Sequence, residues 1–350
     1  MIHPSVSVVI VNFNGRHLLE SCLPATLGEV AQLEGEIILV DNASSDGSLT
    51  YVQTTFPQIL LVENPRNEGF AGGCNAGVRV AKADVVVLLN NDAVPQPGWL
   101  RRLLDALEPA NVAVAASVVQ EARYPGAYEL GTGSISVIGH PIPNVDHDPA
   151  RPFYATGCSL AFKKPIFPEP FDPIYFAYFE DALLSWRAHL RGLLVARAVE
   201  SKVTHLGSAT ALQQPTLAAY YWERNRILTL LLCYQRATLV KLIPLFIFDG
   251  FVRTAEDVWH TVSRRRGAAL TLRRWIISAR ALAWLVGHRS DVASSRRTIQ
   301  QERKRGDQEI IRMLSGKIFD DHVPTWAHTI ANHITLAYCR VAGLRTAEQS

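Results

Sequence analysis

Val85 through Leu89 are five consecutive apolar residues, three of them valine, and they run directly into Asn90, Asn91 and Asp92. So short and uniformly apolar a run suits a strand covered on both faces, as in a parallel sheet with helices above and below. In open sheets of that kind ligands gather beyond the carboxyl ends of the strands, which is where these three polar residues fall. Val94-Pro95-Gln96-Pro97-Gly98 stops the strand at once.

The preceding chain repeats the design. Val6 to Val11 is a first strand ended by Asn12-Phe13-Asn14-Gly15, residues suited to a tight turn, and a helix is expected over roughly 17–28. Glu36 to Val40 delivers Asp41-Asn42, after which Ser44-Ser45-Asp46-Gly47-Ser48 offers caps for a helix. Ile59 to Glu63 is a third strand, and Asn67-Glu68-Gly69 leads into a helix near 70–82. Strand alternating with helix over about a hundred residues argues an α/β fold with a Rossmann-like half sheet. The first turn lacks Gly-x-Gly-x-x-Gly, so the ordinary dinucleotide fold is excluded. Residues 111–120, 130–138 and 154–162 read as further strands, and a helix opens after Phe179 with Glu180-Asp181 at its front edge, where exposed amides favour ionised carboxylates. Gly69, Gly72, Gly73 and Gly77 serve either close approach of a ligand or close helix packing.

Six pieces together resemble the inverting glycosyltransferases of family 2: Val8 to Asn14, Val40 to Ser48, Asn67-Glu68-Gly69-Phe70, Leu89 to Asp92, Phe179-Glu180-Asp181, and His205-Leu206-Gly207-Ser208. The resemblance covers about residues 5–230. It implies the GT-A fold, a Rossmann-like mixed sheet flanked by helices, over 1–215, with a helical, basic extension over 216–350. It also implies nucleotide-sugar contacts from Asn12, Asn14, Asp41, Asn67, Gly69 and Asn91, with Asp41 accepting from the ring NH of a pyrimidine. Asp92 stands where the family's metal motif keeps its last acid, Asn90 replaces the first acid, and His205 matches the downstream histidine ligand. A divalent cofactor, Mn²⁺ or Mg²⁺, follows, and an imidazole ligand tilts the choice toward Mn²⁺.

Asp181 is the expected catalytic base, taking the proton from an acceptor hydroxyl as its oxygen attacks the anomeric carbon from the side opposite the diphosphate. Glu180 is the alternative base. Relatives of this pattern carry a second acid two residues after the base, whereas this chain has Leu183. The segment Tyr220 to Arg226, followed by Leu-rich helices, resembles the rhamnosyltransferase-like branch, so the expected donor is dTDP-rhamnose or a UDP-sugar. The expected acceptor is a glycan or lipid-linked hydroxyl in cell-wall or surface-polysaccharide synthesis. The alternatives are a sugar nucleotidyltransferase, disfavoured because Asn12-Phe13-Asn14-Gly15-Arg16 is not a Gly-rich basic phosphate loop, and a non-catalytic membrane scaffold.

Charge divides the chain. Residues 253–306 hold 13 Lys or Arg against four acids, a local +9 that leaves −6 for the remainder of a +3 chain. Arg266, Arg273 and Arg280 recur every seven residues beside Trp275, Ala279, Leu282 and Val286, the pattern of a basic amphipathic helix that either lies on an anionic membrane surface or packs on the catalytic domain with a solvated basic face. Aromatic platforms for nucleic acid are not evident among these arginines. The apolar runs 228–232 and 242–248 fall short of the roughly 18 residues a membrane span requires. Five scattered cysteines without Cys-x-x-Cys spacing, and no basic, cleavable leader, suit a cytoplasmic protein peripheral on the inner face of the plasma membrane.

Overall fold

The computed structural model describes residues 5–122, 129–143, 152–207, 215–262, 269–319 and 325–349. Ser208 and Arg266 lie outside them. By its contacts the chain forms two units, residues 1–133 with 144–213, and residues 134–143 with 214–350.

In the first unit, β1 (Ser7–Asn12), β2 (Glu36–Asp41), β3 (Leu60–Glu63) and β4 (Val85–Asn90) pair in parallel in the order β3-β2-β1-β4. Their valines and isoleucines fit a pleated surface covered on both sides, and Val8, Ile10, Val87 and Leu88 have almost no exposure. Helix α1 (Arg16–Ala31) follows β1, α2 (Ser48–Thr55) follows β2, and α3 (Gly69–Val80) follows β3. Gly73 and Gly77 let α3 sit hard on β1. A Cβ there would come within 2.6 Å of Val11 and 2.4 Å of Val9, so close packing accounts for both glycines.

Beyond β4 the sheet turns mixed. In chain order come β5 (Ala93–Pro95), α4 (Trp99–Leu107), β6 (Val112–Glu121), β7 (Glu129–Leu130), β8 (Thr132–Ile135), β9 (Pro141–Pro143), β10 (Tyr154–Ala155), β11 (Ser159–Lys163), α5 (Glu180–Leu190) and β12 (Leu194–His205). β11 lies antiparallel between β4 and β6, β12 runs parallel to β6, and β5 closes the edge antiparallel to β12. Trp99 pins this half from α4. Its indole donates to Ser117 of β6 and Ser159 of β11, while Ser201 of β12 donates to its carbonyl. The single strand expected over 154–162 is two, broken at Thr156-Gly157-Cys158, and that turn reaches the site described below.

The second unit is mainly helical: α6 (Pro215–Cys233), α7 (Arg236–Val262), α8 (Ala269–Gly287), α9 (Arg289–Gln301), α10 (Asp307–Ile311) and α11 (Trp326–Val341). Buried Arg226 holds the 134–143 segment to α6 by donating to the Ile138 carbonyl at 2.6 Å while its guanidinium pairs with Glu223. His140 meets Asp249 of α7 at 3.1 Å. Burial, then the nearby charge of Arg226, presses the His140 pKa down to about 4, so the ring is neutral. Among the described residues no helix is long and apolar enough to cross a membrane.

Candidate functional site

Parallel pairing in phase brings the ends of β1, β2 and β4 together. Asn12 pairs with Asp41 and Val11 with Asn90, so the polar residues ending three strands share one pole. Asn12 stands at the centre. Its amide donates to Asp41 Oδ1 at 3.4 Å and to Ser44 Oγ at 3.2 Å, and its Oδ1 accepts from Asn91 at 2.9 Å. Ser44 Oγ also accepts the Asn14 amide, and Asn14 Oδ1 accepts the Ser45 amide at 2.7 Å. Asp41 Oδ2 takes the Ser44 amide at 2.9 Å. Asn14 and Ala43 have positive φ, the cost of folding both loops over one spot.

The Asn67–Gly69 turn joins this group through Asn42, whose amide donates to the Gly69 carbonyl at 2.9 Å, while Asn67 Oδ1 caps the Gly69 amide at 2.8 Å. Gly69 has φ +70, and a Cβ there would lie 2.3 Å from the Phe176 carbonyl. Any side chain there requires the backbone at Phe176 to shift. Two residues on, the Ala71 amide donates to that same Phe176 carbonyl at 3.1 Å, tying the start of α3 to the loop before α5. That loop carries positive φ at Phe176, Tyr178 and Phe179.

Asp181 opens α5 partly exposed, with Oδ2 accepting the Gly157 amide at 2.8 Å and Oδ1 the Ala182 amide at 2.7 Å. Its neighbour is different. Glu180 is buried, and among the described residues its Oε2 has no hydrogen-bond partner. Burial and then the charge of Asp181 push the Glu180 pKa well up. Burial also raises Asp181, but its two amide donors pull the other way, so Asp181 is the member of the pair that ionises first. Leu183, in place of a second acid, is fully buried and faces no solvent. Through the break between β10 and β11 Asp181 reaches the end of β4, since Cys158, next to Gly157, accepts the Asn90 amide at 2.9 Å.

His205 ends β12 in register with Ala93 of β5 on one side and Glu121 of β6 on the other. Its Nε2 lies 3.2 Å from Asp92 Oδ2 and its Nδ1 2.7 Å from Glu121 Oε1. Burial, the largest influence, lowers the pKa of the ring, but hydrogen bonds and charge from Asp92 and then Glu121 outweigh it and lift it to about 9. At neutral pH the ring therefore donates from both nitrogens. Glu121, Asn42 and Ser44 are site residues that sequence reasoning missed. Only the strand register marks Glu121, whereas Asn42 and Ser44 sit inside a motif already noted.

The Asp92–His205 pair fits a divalent ion. Their 3.2 Å separation is close to the roughly 3 Å between adjacent ligands each about 2.1 Å from one ion. At the end of β4, two residues before Asp92, Asn90 Oδ1 is buried and unpartnered among the described residues, an oxygen left over for such a role. Two side chains and an amide oxygen are too few for tight binding. Among the described residues no group of three or more His, Cys, Asp or Glu is placed to hold a metal, so further oxygens must come with a ligand.

Residues 7–167 match the sequence model of Glycosyl transferase family 2, and Asp181 and His205 lie beyond the matched segment. The chain is 30% identical over 110 residues to an uncharacterized glycosyltransferase, alr2836, of Nostoc sp. (strain PCC 7120), covering 31% of this chain and 34% of that one. It is 26% identical over 113 residues to the succinoglycan biosynthesis protein ExoO of Rhizobium meliloti (strain 1021), covering 32% of each. The chain thus spans about a third of the length of these curated relatives. Among solved structures, the mannosyltransferase PcManGT of Pyrobaculum calidifontis, in complex with GDP-Man and Mn²⁺, aligns over 99% of this chain and 88% of its own with a TM-score of 0.50 and 16% identity. At that identity the likeness establishes the fold, which is GT-A.

Proposed function

We propose, on the premise that residues 7–167 form a Glycosyl transferase family 2 domain, that the protein is an inverting glycosyltransferase. It moves a sugar from a nucleoside-diphosphate donor to a hydroxyl of a glycan or lipid-linked acceptor. The observation that carries this reading is the placement of Asp181. A carboxylate that ionises ahead of its neighbour, oriented by two backbone amides, is linked through Gly157 and Cys158 to Asn90 at the end of β4, two residues before Asp92, which meets His205 at the end of β12.

The Asn12–Asp41–Ser44 network receives the nucleoside, with Asp41 Oδ1, held among the described residues by the long Asn12 contact, accepting from the base. Asn14, Asn67, Gly69 and Asn91 shape the surrounding loops. Asp92 and His205 would hold a divalent cation, Mn²⁺ or Mg²⁺, together with the donor diphosphate, a reading supported by the mannosyltransferase's being in complex with GDP-Man and Mn²⁺. When bound, the cation stabilises negative charge on the departing diphosphate. Asp181 takes the acceptor proton while the acceptor oxygen bonds to the anomeric carbon from the opposite face and the bond to the diphosphate breaks. One displacement inverts that carbon. Glu180, buried and with its pKa pushed well up, is the less suited of the two acids to act as base.

Asp41 suits a base with a ring NH, which uracil, thymine and guanine all carry; the resemblance of Tyr220 to Arg226 to the rhamnosyltransferase-like branch favours dTDP-rhamnose or a UDP-sugar among these. ExoO, a succinoglycan biosynthesis protein, supports a role in surface-polysaccharide synthesis. A lipid-linked acceptor places the enzyme on the inner face of the plasma membrane, which the basic second unit suits. The deciding experiment is proton NMR of the first product formed from an α-configured donor. A β-linked product is expected, and an α-linked one contradicts the single displacement.

A further inference from the structure

Helix α7 presents an unusual outer face. Between Leu242 and Trp259 every exposed residue on it is apolar, while Asp249, Arg253, Glu256 and Asp257 are buried or half-buried. Val240, Ile243, Ile247, Phe251 and Val258 fall within about 80° of one another at 100° per residue, and Ile247 and Phe251 are 69% and 72% exposed. Leu242, Leu245 and Asp249, on the opposite side, form the buried face.

Helix α11 runs antiparallel alongside. Near its start His328 pairs with Glu256, and near its end the Tyr338 hydroxyl donates to the Lys241 carbonyl at 2.7 Å and Lys241 to the Ala342 carbonyl at 2.9 Å. It carries a stripe of its own: Trp326, Ile330, Ile334 and Val341 are exposed, with Trp326 at 80% and Val341 at 88%, flanked by exposed Thr329, His333 and Arg340, while Ala331, Asn332, Thr335 and Cys339 are buried. Each helix turns its stripe away from its own buried face. Trp259 and Trp326 lie at the same end of the pair, and tryptophan favours the boundary between lipid and water.

Helix α8 contributes less to this surface. Its Trp275, Leu282 and Val286 are exposed as the seven-residue pattern implied, but Arg273 donates to Thr216 and Arg280 lies over the Tyr220 ring, so these arginines serve packing within the unit.

We infer that the paired outer faces of α7 and α11 insert into the head-group layer of an anionic bilayer. This rests on the proposed function for the membrane as partner and goes beyond it in naming the surface. Charge selects a bilayer over a second copy of the chain. Residues 214–350 hold 21 Lys or Arg against 11 Asp or Glu, net +10, which leaves −7 elsewhere. Two copies meeting through this unit would bring like charge together, whereas anionic head groups neutralise it while the stripes lose water. Neither helix needs to cross the bilayer, since interfacial binding requires an apolar face rather than an apolar length.

Vesicle flotation with equal parts phosphatidylcholine and phosphatidylglycerol tests this, using the full chain and the double variants Ile247→Gln/Phe251→Gln and Ile330→Gln/Ile334→Gln. These positions are exposed, so thermal melting should be unchanged. Each variant should bind vesicles at least about tenfold more weakly than wild type, the scale expected when two large apolar side chains no longer leave water. Binding of the nucleotide-sugar donor in solution should be unaltered, which separates this inference from the glycosyltransferase reading. Brominated acyl chains should quench wild-type tryptophan fluorescence, and less so in Trp259→Phe/Trp326→Phe. Variants that float like wild type would overturn the assignment of the surface, and a wild-type chain that ignores anionic vesicles would overturn the membrane as its occupant. A lipid-free dimer in sedimentation equilibrium, abolished by the same variants, would reassign the face to self-association.

Discussion

Glu121 Oε1 lies 2.7 Å from Nδ1 of His205, on the side of the ring opposite Asp92. The contact fixes the ring's orientation and leaves Nε2 toward the metal position, the arrangement in which a carboxylate behind a histidine strengthens it as a ligand.

Glu121→Gln should therefore weaken Mn²⁺ binding in the presence of the donor by about 10–100-fold while leaving metal-free donor affinity unchanged. Calorimetric titration of Mn²⁺ into the donor complex measures this. Equal Mn²⁺ affinity in both proteins would remove Glu121 from the site.

The same contacts impose a pH dependence on the metal-free protein. With a folded-state pKa near 9 against an ordinary 6.5, His205 binds more protons folded than unfolded between those values. Its stabilisation is complete below about 6.5 and is lost as pH rises through about 9. Thermal melting of metal-free protein across this window should show a decline that is shallower in Glu121→Gln. Metal must displace the Nε2 proton, so Mn²⁺ affinity should increase over the same window.

The two adjacent acids at the start of α5 should behave differently. Asp181→Asn should lower kcat by about 10²–10⁴-fold with donor binding retained, because it removes the base and little else. Glu180→Gln should lose far less activity and melt at the same or a higher temperature, since it replaces a buried carboxyl whose Oε2 lacks a partner among the described residues. Kinetics and melting of both variants check this, and a reversed ranking would make Glu180 the base.

Gly69→Ala should destabilise the protein by about 1–3 kcal/mol, combining a left-handed backbone with a Cβ 2.3 Å from the Phe176 carbonyl. Denaturant unfolding measures it. An unchanged midpoint would mean that the loop before α5 moves aside at no cost.

The first four strands were readable because each is an apolar run cut off by a polar turn, and Val85 to Asp92 is the clearest case, whereas β5 and β12 were not read as strands and the strand expected over 130–138 is divided between β7 and β8. Asn12, Asp41 and Asp92 were readable as candidates for the same reason, each being the polar residue just past such a run. Glu121 was not. It becomes part of the site only because β12 pairs with β6, past a register shift between Ala198 and Lys202, so that His205 lands opposite it. The choice between Glu180 and Asp181 was equally hidden, since it depends on a turn at Gly157 donating to one carboxylate and not the other. On α7 the apolar run 242–248 was visible, but which of its residues face outward is decided by what packs beneath.

The most direct test of the account is a thermal-shift and calorimetric screen of nucleoside-diphosphate sugars, with and without Mn²⁺, on wild type and Asp92→Ala. The account predicts that a pyrimidine nucleotide sugar stabilises wild type strongly only with Mn²⁺, and that Asp92→Ala loses the metal-dependent part. Equal stabilisation of both proteins, whether or not Mn²⁺ is present, would contradict it.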